Sequence, residues 1–272
     1  MLKKWGVRLI AILGFLLLAY PLVSNFVQQR YQNDAVATYQ NEIRGKSEQE
    51  LRKEYDEAVE YNDMLFQTEG AVVDDMDLGV LSDRHYNSLL NQNNGIMGSI
   101  EIPKINVSLP VYHGTSEDVL STGIGHLQGT SLPVGGENTH SVLTGHRGLP
   151  GSKLFTRLDE MEEGDLFFLK VLDQTLAYKV MDIQVITPDK LDVMKIENGK
   201  DLVSLVTCTP YGINSHRLVL TGERVSYDET EYENIRGVIP SFRELAFTVL
   251  PIAVLLAIAV AKIIEWRKNR YV

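Results

Sequence analysis

Two long apolar runs bracket this chain, and between them the hydrophobic pattern changes period. Residues 9–23 carry no charge, stay largely apolar to Val27, and follow Lys3, Lys4 and Arg8. No small-x-small cleavage site follows Tyr20-Pro21, so the run is expected to remain as a signal anchor near bilayer-spanning length. Residues 245–264 form the second run, which lacks the polar face of a buried amphipathic helix. Lys262 there can snorkel, Trp266 suits an interfacial belt, and Pro251 is tolerable within a membrane helix. Both runs read as transmembrane helices.

Inside those ends, residues 31–66 predict a helical stalk. Leu51, Tyr55, Ala58, Tyr61 and Leu65 recur at spacings of three and four, behind a capping box formed by Ser47 and Glu50. The stripe is expected to pack on the domain or on itself rather than to act as a coiled-coil face. Residues 67–98 are less regular, with a short helix expected over 83–90. Beyond Gly98, short β-rich runs are broken by Gly and Pro: 98–102, 107–112, 140–143, 166–171, 176–185, 202–207 and 217–220. Seven or eight such strands with little helix between them predict a mainly-β closed barrel or sandwich. Gly123-x-Gly125 followed by Gly129 misses the dinucleotide-binding spacing and reads as a loop.

Charge gives the arrangement a direction. Residues 1–30 sum to +4 and residues 262–272 to +3, which leaves −17 on residues 31–261 of a chain whose net charge is −10. Both basic flanks lie toward the termini, so the positive-inside rule predicts a two-pass cell-membrane protein with cytoplasmic termini. Its parts are an anchor over 1–27, an external stalk and possible lid over 28–97, a barrel over 98–227 and a linker over 228–244. A second span at 245–264 and a tail at 265–272 complete it. An acidic external domain argues against a nucleic-acid partner.

There is no G-x-S-x-G elbow, no H-E-x-x-H, no phosphate loop, and no second cysteine to build a structural zinc site. No metal or cofactor is expected. The one cysteine, Cys208, ends an apolar strand just before Thr209-Pro210-Tyr211-Gly212, and Arg217 opens the following strand. A guanidinium beside a thiol favours the thiolate and could stabilise an oxyanion. From the pattern alone, an inert buried thiol and a nucleophile both stay open. A nucleophile needs an acid or base, and His146, on the strand-end loop Thr144-Gly145-His146-Arg147-Gly148, is the suitable one of six histidines. His140 and His216 read as structural; His85, His113 and His126 have no such context.

These residues carry a family resemblance. Leu205-Val206-Thr207-Cys208 followed by Arg217, with Thr139-His-Ser-Val-Leu-Thr-Gly-His146-Arg-Gly-Leu-Pro upstream, resembles the sortases of Gram-positive bacteria over about residues 98–225. Ser204 stands where the Thr-Leu-x-Thr-Cys signature begins with Thr. The resemblance implies an eight-stranded barrel in which Cys208 attacks an LPxTG-like sorting signal and an amine resolves the thioacyl enzyme. His146 would protonate the leaving amine and Arg217 would clamp the oxyanion or substrate, with Thr207 and Thr209 as further oxyanion or substrate candidates.

An anchor, a stalk and a second span together resemble class C, the pilin polymerases, which join a pilin lysine to the sorting signal of the next subunit. Partners would be surface or pilin proteins with C-terminal sorting signals, plus an amine acceptor that is a pilin lysine or a cell-wall precursor. Class C enzymes usually carry a lid bearing Asp-Pro-aromatic; here Asp74-Asp75-Met76 stands nearest. Residues 70–81 are the expected lid, with Asp74, Asp75 and Asp77 suited to reach Arg217 or Arg147, or else a solvated acidic tether. Other readings are a housekeeping-type sortase, a hydrolytic cysteine protease and a non-enzymatic pilus-assembly scaffold.

Overall fold

The computed structural model describes residues 2–67, 84–92, 95–149, 151–237 and 242–268. Helix α1 (Leu2–Gly45) breaks at Lys46-Ser47 and α2 (Glu48–Gln67) begins there. The break is capped as expected: the Ser47 N–H donates to Glu50 Oε2 at 2.8 Å, and the Glu50 N–H donates to Ser47 Oγ at 3.3 Å. A short α3 (Arg84–Ser88) leads into β1 (Ile96–Ile102) and β2 (Val107–His113). Next come α4 (Glu117–Thr122), β3 (Ile124–His126), β4 (Thr139–Thr144), β5 (Leu166–Val171) and β6 (Gln174–Ile186). The remainder is β7 (Asp201–Thr209), β8 (His216–Val225), α5 (Glu229–Asn234) and α6 (Phe242–Lys268).

The strands close into a barrel in the order β1-β2-β3-β4-β7-β8-β6-β5, with β1 returning to β5. Closure leaves no unpaired sheet edge. Two pairings are parallel, β2 with β3 and β4 with β7; the others are antiparallel. Sequence pattern located seven of these strands and not β3, because three residues are too few to show a period. Gly125, expected in a loop, belongs to that strand. A Cβ there would meet the Gly114 carbonyl oxygen, so the glycine permits the close approach of β2 and β3.

Alternation along the strands sorts residues between two environments. Val203 and Leu205 of β7 and Leu218 and Leu220 of β8 join the main core inside the barrel. Val206 and Val219 face outward and form a second apolar cluster with Val142, Ile186 and Met194.

The helical stripe of α2 packs on the barrel: Ala58 and Tyr61 belong to the main core, with Leu51, Tyr55 and Leu65 against it. Polar anchors fix the contact. Asn62 answers the backbone of Leu132 on both sides, Nδ2 donating to the carbonyl at 3.1 Å and Oδ1 accepting the N–H at 2.7 Å. Tyr39 accepts the Leu172 N–H at 2.7 Å; burial pushes its phenol pKa well up, so it stays a protonated donor toward the Met97 carbonyl. Leaving such a buried group unpaired would cost about 1–3 kcal/mol.

Gln28–Val238 form one compact unit, and Met1–Val27 with Ile239–Val272 form another. The apolar runs at both ends are helical, within α1 and α6, but among the described residues no helix is long and apolar enough to cross a membrane.

Beneath the barrel's β2–β3 side, His126 is fully buried. Its Nδ1 accepts from the Tyr86 hydroxyl at 2.8 Å and its Nε2 faces the Ser131 carbonyl at 2.8 Å, which assigns the proton to Nε2. Burial is the main cause that holds its pKa down at about 4. The folded value lies below the ordinary one of about 6.5, so the unfolded chain takes up protons first on acidification. Stability is therefore expected in full above pH ~6.5 and to fall between there and pH ~4, by roughly 3 kcal/mol from this group. Denaturant melts of wild type and His126→Gln across that window check it: the variant starts less stable and should show a flatter pH slope.

Candidate functional site

The expected chemistry gathers on the outer face of three adjoining strands. β7 carries Cys208 near its end, and in the antiparallel β7–β8 register Cys208 lies directly opposite Arg217. Residues so paired present side chains to the same face. In the turn that follows, Pro210 comes after a cis bond, and its carbonyl accepts the N–H groups of Ile213 and Asn214 at 3.1 and 3.0 Å.

His146 comes from the other neighbour of β7. The parallel β4–β7 register ends at Thr144 opposite Val206. It is extended by one further bond, from Gly145 N to the Val206 carbonyl at 3.0 Å. The Thr207 hydroxyl, buried, donates to the Gly145 carbonyl at 2.7 Å. Gly145 must be a glycine here, since a Cβ would sit 2.6 Å from Ile124 Cδ1 and 2.7 Å from the Phe155 ring. A matched parallel ladder thus carries His146 to the same end as Cys208.

Cys208, Arg217 and His146 line one groove of about 210 Å³. Val142 and Val206 form its apolar floor with Ile186 at the end of β6, and Pro188, Leu191 and Met194 of the β6–β7 connection line it as well. The groove is mainly apolar with a few convergent polar groups, the make-up of a site for an extended, partly apolar ligand.

Around the three groups the electrostatics are specific. Among the described residues, His146 Nε2 is shielded from solvent and has no hydrogen-bond partner, and it lies 3.5 Å from Glu117 Oε1 at the start of α4. A shielded ring nitrogen with no hydrogen bond committed elsewhere among the described residues can exchange a proton with a bound ligand, and Glu117 lies near enough to pair with its charged form. Cys208 is a half-buried free thiol. Arg217 donates from Nη1 to the Asn214 and His216 carbonyls at 3.3 and 3.2 Å, which aligns its guanidinium along its own loop.

The other candidates fall in different places. The Thr207 hydroxyl is committed to Gly145, and Thr209 Oγ1 accepts from Arg147 Nη1 at 3.3 Å. Arg147, named with Arg217 as a residue the lid carboxylates are suited to reach, has a side chain only 4% exposed and paired with Asp159. Asp74, Asp75 and Met76 lie outside the described residues. His140 is buried, its Nδ1 facing the Lys195 carbonyl and its Nε2 facing Ser204 Oγ, both at 2.8 Å, and burial lowers its pKa. His216 is a surface neighbour of Ser215. Sequence reasoning did not reach Glu117, Asp159 or the groove's closing residues. None carries a local motif, and only the fold brings them to Cys208.

A thiol and an arginine at paired positions of adjoining strands, with a shielded imidazole in the same groove, fit a cysteine enzyme of acyl transfer better than a binding module. A family model described as the sortase domain matches residues 100–225. The chain is 33% identical over 132 residues to sortase D of Bacillus subtilis (strain 168), a match that covers 47% of this chain and 64% of that protein. Among solved structures it is similar to sortase C of Streptococcus pneumoniae, at 40% identity and a TM-score of 0.65, covering 71% of this chain and 97% of that one. It is similar also to a Clostridium perfringens sortase C crystallised with the C-terminal cell wall sorting motif, at 43% identity and a TM-score of 0.62, covering 71% and 99%. The chain belongs to the sortase family, whose members are cysteine transpeptidases.

His146→Ala and Arg217→Ala are each expected to lower turnover by about two to four orders of magnitude. His216→Ala should leave it near wild type, and His140→Ala should lower the melting temperature more than turnover per folded molecule. Steady-state cleavage of a sorting-signal peptide, paired with thermal melts, checks all four. A larger turnover loss at His140 than at His146 would reverse the assignment.

Proposed function

We propose that this protein is a class C-type transpeptidase that cleaves an LPxTG-like sorting signal and transfers it to an amine, a pilin lysine in pilus assembly. The observation that carries this is Cys208 facing Arg217 across β7 and β8 in the groove that also holds His146. The Cys208 thiolate adds to the carbonyl carbon before the scissile bond, and the oxyanion that forms draws on the Arg217 guanidinium. As the C–N bond breaks, the His146 imidazolium gives its proton to the leaving amine, and a thioester remains on Cys208. The acceptor amine then adds to the thioester, passes a proton to His146, and releases the thiolate as the new amide forms. Atoms and protons balance without a cofactor.

A pilin substrate is supported by likeness to class C enzymes, one of them described in terms of pilin substrate specificity and another crystallised with a sorting motif. Attachment at the outer face of the cell membrane, with both termini cytoplasmic, is part of the same reading. It is supported by the basic flanks and by exposed apolar side chains on α6, among them Ile252, Leu256 and Ile263, which water solvates poorly.

Two experiments test this reading. Cys208→Ala should form no thioester and no cross-linked product, because the chain holds no other thiol. Mass spectrometry of mixtures with candidate pilins reads this directly, and polymer built by the variant would sink the mechanism. In Cys208→Ala carrying single new cysteines near Asn33 or Tyr232, a membrane-impermeant reagent should label intact cells. It should not label cysteines placed at the extreme termini, and labelling there would overturn the topology.

A further inference from the structure

The two catalytic candidates, Cys208 near the end of β7 and His146 just past the end of β4, are tied together from both sides. On the near side, Gly145, which precedes His146, is held to Thr207, which precedes Cys208, by the buried Thr207 hydroxyl at 2.7 Å. On the far side, Arg147, which follows His146, donates from Nη1 to the hydroxyl of Thr209, which follows Cys208, at 3.3 Å. Consecutive Cα atoms are about 3.8 Å apart, so each tie sits one residue from a reacting group.

The far tie is built at some energetic cost. Arg147 is 8% exposed as a whole residue, and its Nε is buried with no hydrogen-bond partner among the described residues. Its charge is balanced by Asp159, which the ion pair holds from the segment after the His146 loop. A charge is rarely taken out of water for general packing, since a hydrophobic side chain of like volume does that more cheaply. What a guanidinium adds is a rigid fork that reaches two acceptors in fixed directions, here a carboxylate and a hydroxyl. Tyr211 reinforces the same joint: a Cβ on Gly148 would lie 2.8 Å from the Tyr211 ring, so the His146 loop and the turn after Cys208 are in contact there as well.

We infer that Arg147 is a positioning residue of this enzyme, which through Thr209 and Asp159 sets the placement of His146 relative to Cys208 for proton transfer to the leaving amine. It touches neither substrate nor the reacting atoms. The inference rests on the transpeptidase reading above. Its effect should fall on the chemical step and not on capture of the peptide, because none of Arg147, Thr209 or Asp159 lines the groove.

The test uses the full chain and a sorting-signal peptide, with kcat expressed per folded molecule, the folded fraction of each variant being read from its thermal melt. Thr209→Val removes the acceptor at nearly constant volume, and Arg147→Lys keeps the charge but not the fork. Each is expected to lower kcat by about 10²-fold, the scale of a misplacement near 1 Å, with KM unchanged. The double variant should fall no further than either alone, since both break one tie. Thr209→Val at wild-type kcat, losses that multiply in the double variant, or a rise in KM with kcat intact would each overturn the inference. A wild-type chain that cleaves no sorting-signal peptide overturns the functional reading and this inference with it, whereas an active wild type with an unaffected Thr209→Val overturns this inference alone.

Discussion

The groove depends on the parallel pairing of β4 with β7. Because the two strands run the same way in matched register, their ends arrive together, and whatever follows Thr144 is delivered beside whatever follows Val206. One extra backbone bond and one threonine hydroxyl carry the match past the ladder to Gly145. From the other side β8 returns antiparallel and sets Arg217 opposite Cys208. Three strands adjoining in space supply three groups from distant parts of the chain, and closure of the barrel keeps those strands from shifting register.

This arrangement also explains why the site lies outside the barrel. The interior is filled by Val203, Leu205, Leu218 and Leu220, so period-2 alternation leaves Cys208 and Arg217 on the outer face with Val206 and Val219. An outer face would expose the thiol fully without cover. The β6–β7 connection supplies it, with Leu191 and Met194 packed over the valines. That connection is held down by buried His140, whose ring bridges the Lys195 carbonyl and the Ser204 hydroxyl. A histidine six residues before the catalytic candidate thus serves the groove's roof, with its charge suppressed by burial, while His146 has, among the described residues, no hydrogen bond at its Nε2 in the groove.

The helical part is bound to the barrel more closely than a stalk would be. Tyr39, Ile43, Ala58 and Tyr61 share one core with the strands, and Asn62 replaces a missing backbone partner for Leu132. Gln32 adds a bond from Nε2 to the Thr122 carbonyl at 2.9 Å, next to the α4 segment that presents Glu117. The second half of α1 and all of α2 therefore brace the wall from which the His146 surroundings are built.

What the sequence determined by itself was local and periodic. The helical stripe, the capping box at Ser47 and Glu50, seven of the strands, and the strand-end settings of Cys208, Arg217 and His146 all follow from spacing over a few residues. Strand β3 escaped because three residues cannot show a period, and the glycine read as a loop there serves a close strand approach. Only tertiary structure decided which side chains share a partner. Arg147, one residue past His146 on a strand-end loop, is buried by folding against Asp159 and Thr209. Glu117 and the groove's cover come to the site from elements with no motif of their own. The reason is physical: spacing along one strand or helix limits which residues share a face, whereas burial and long-range pairing depend on how the closed barrel brings distant strand ends together.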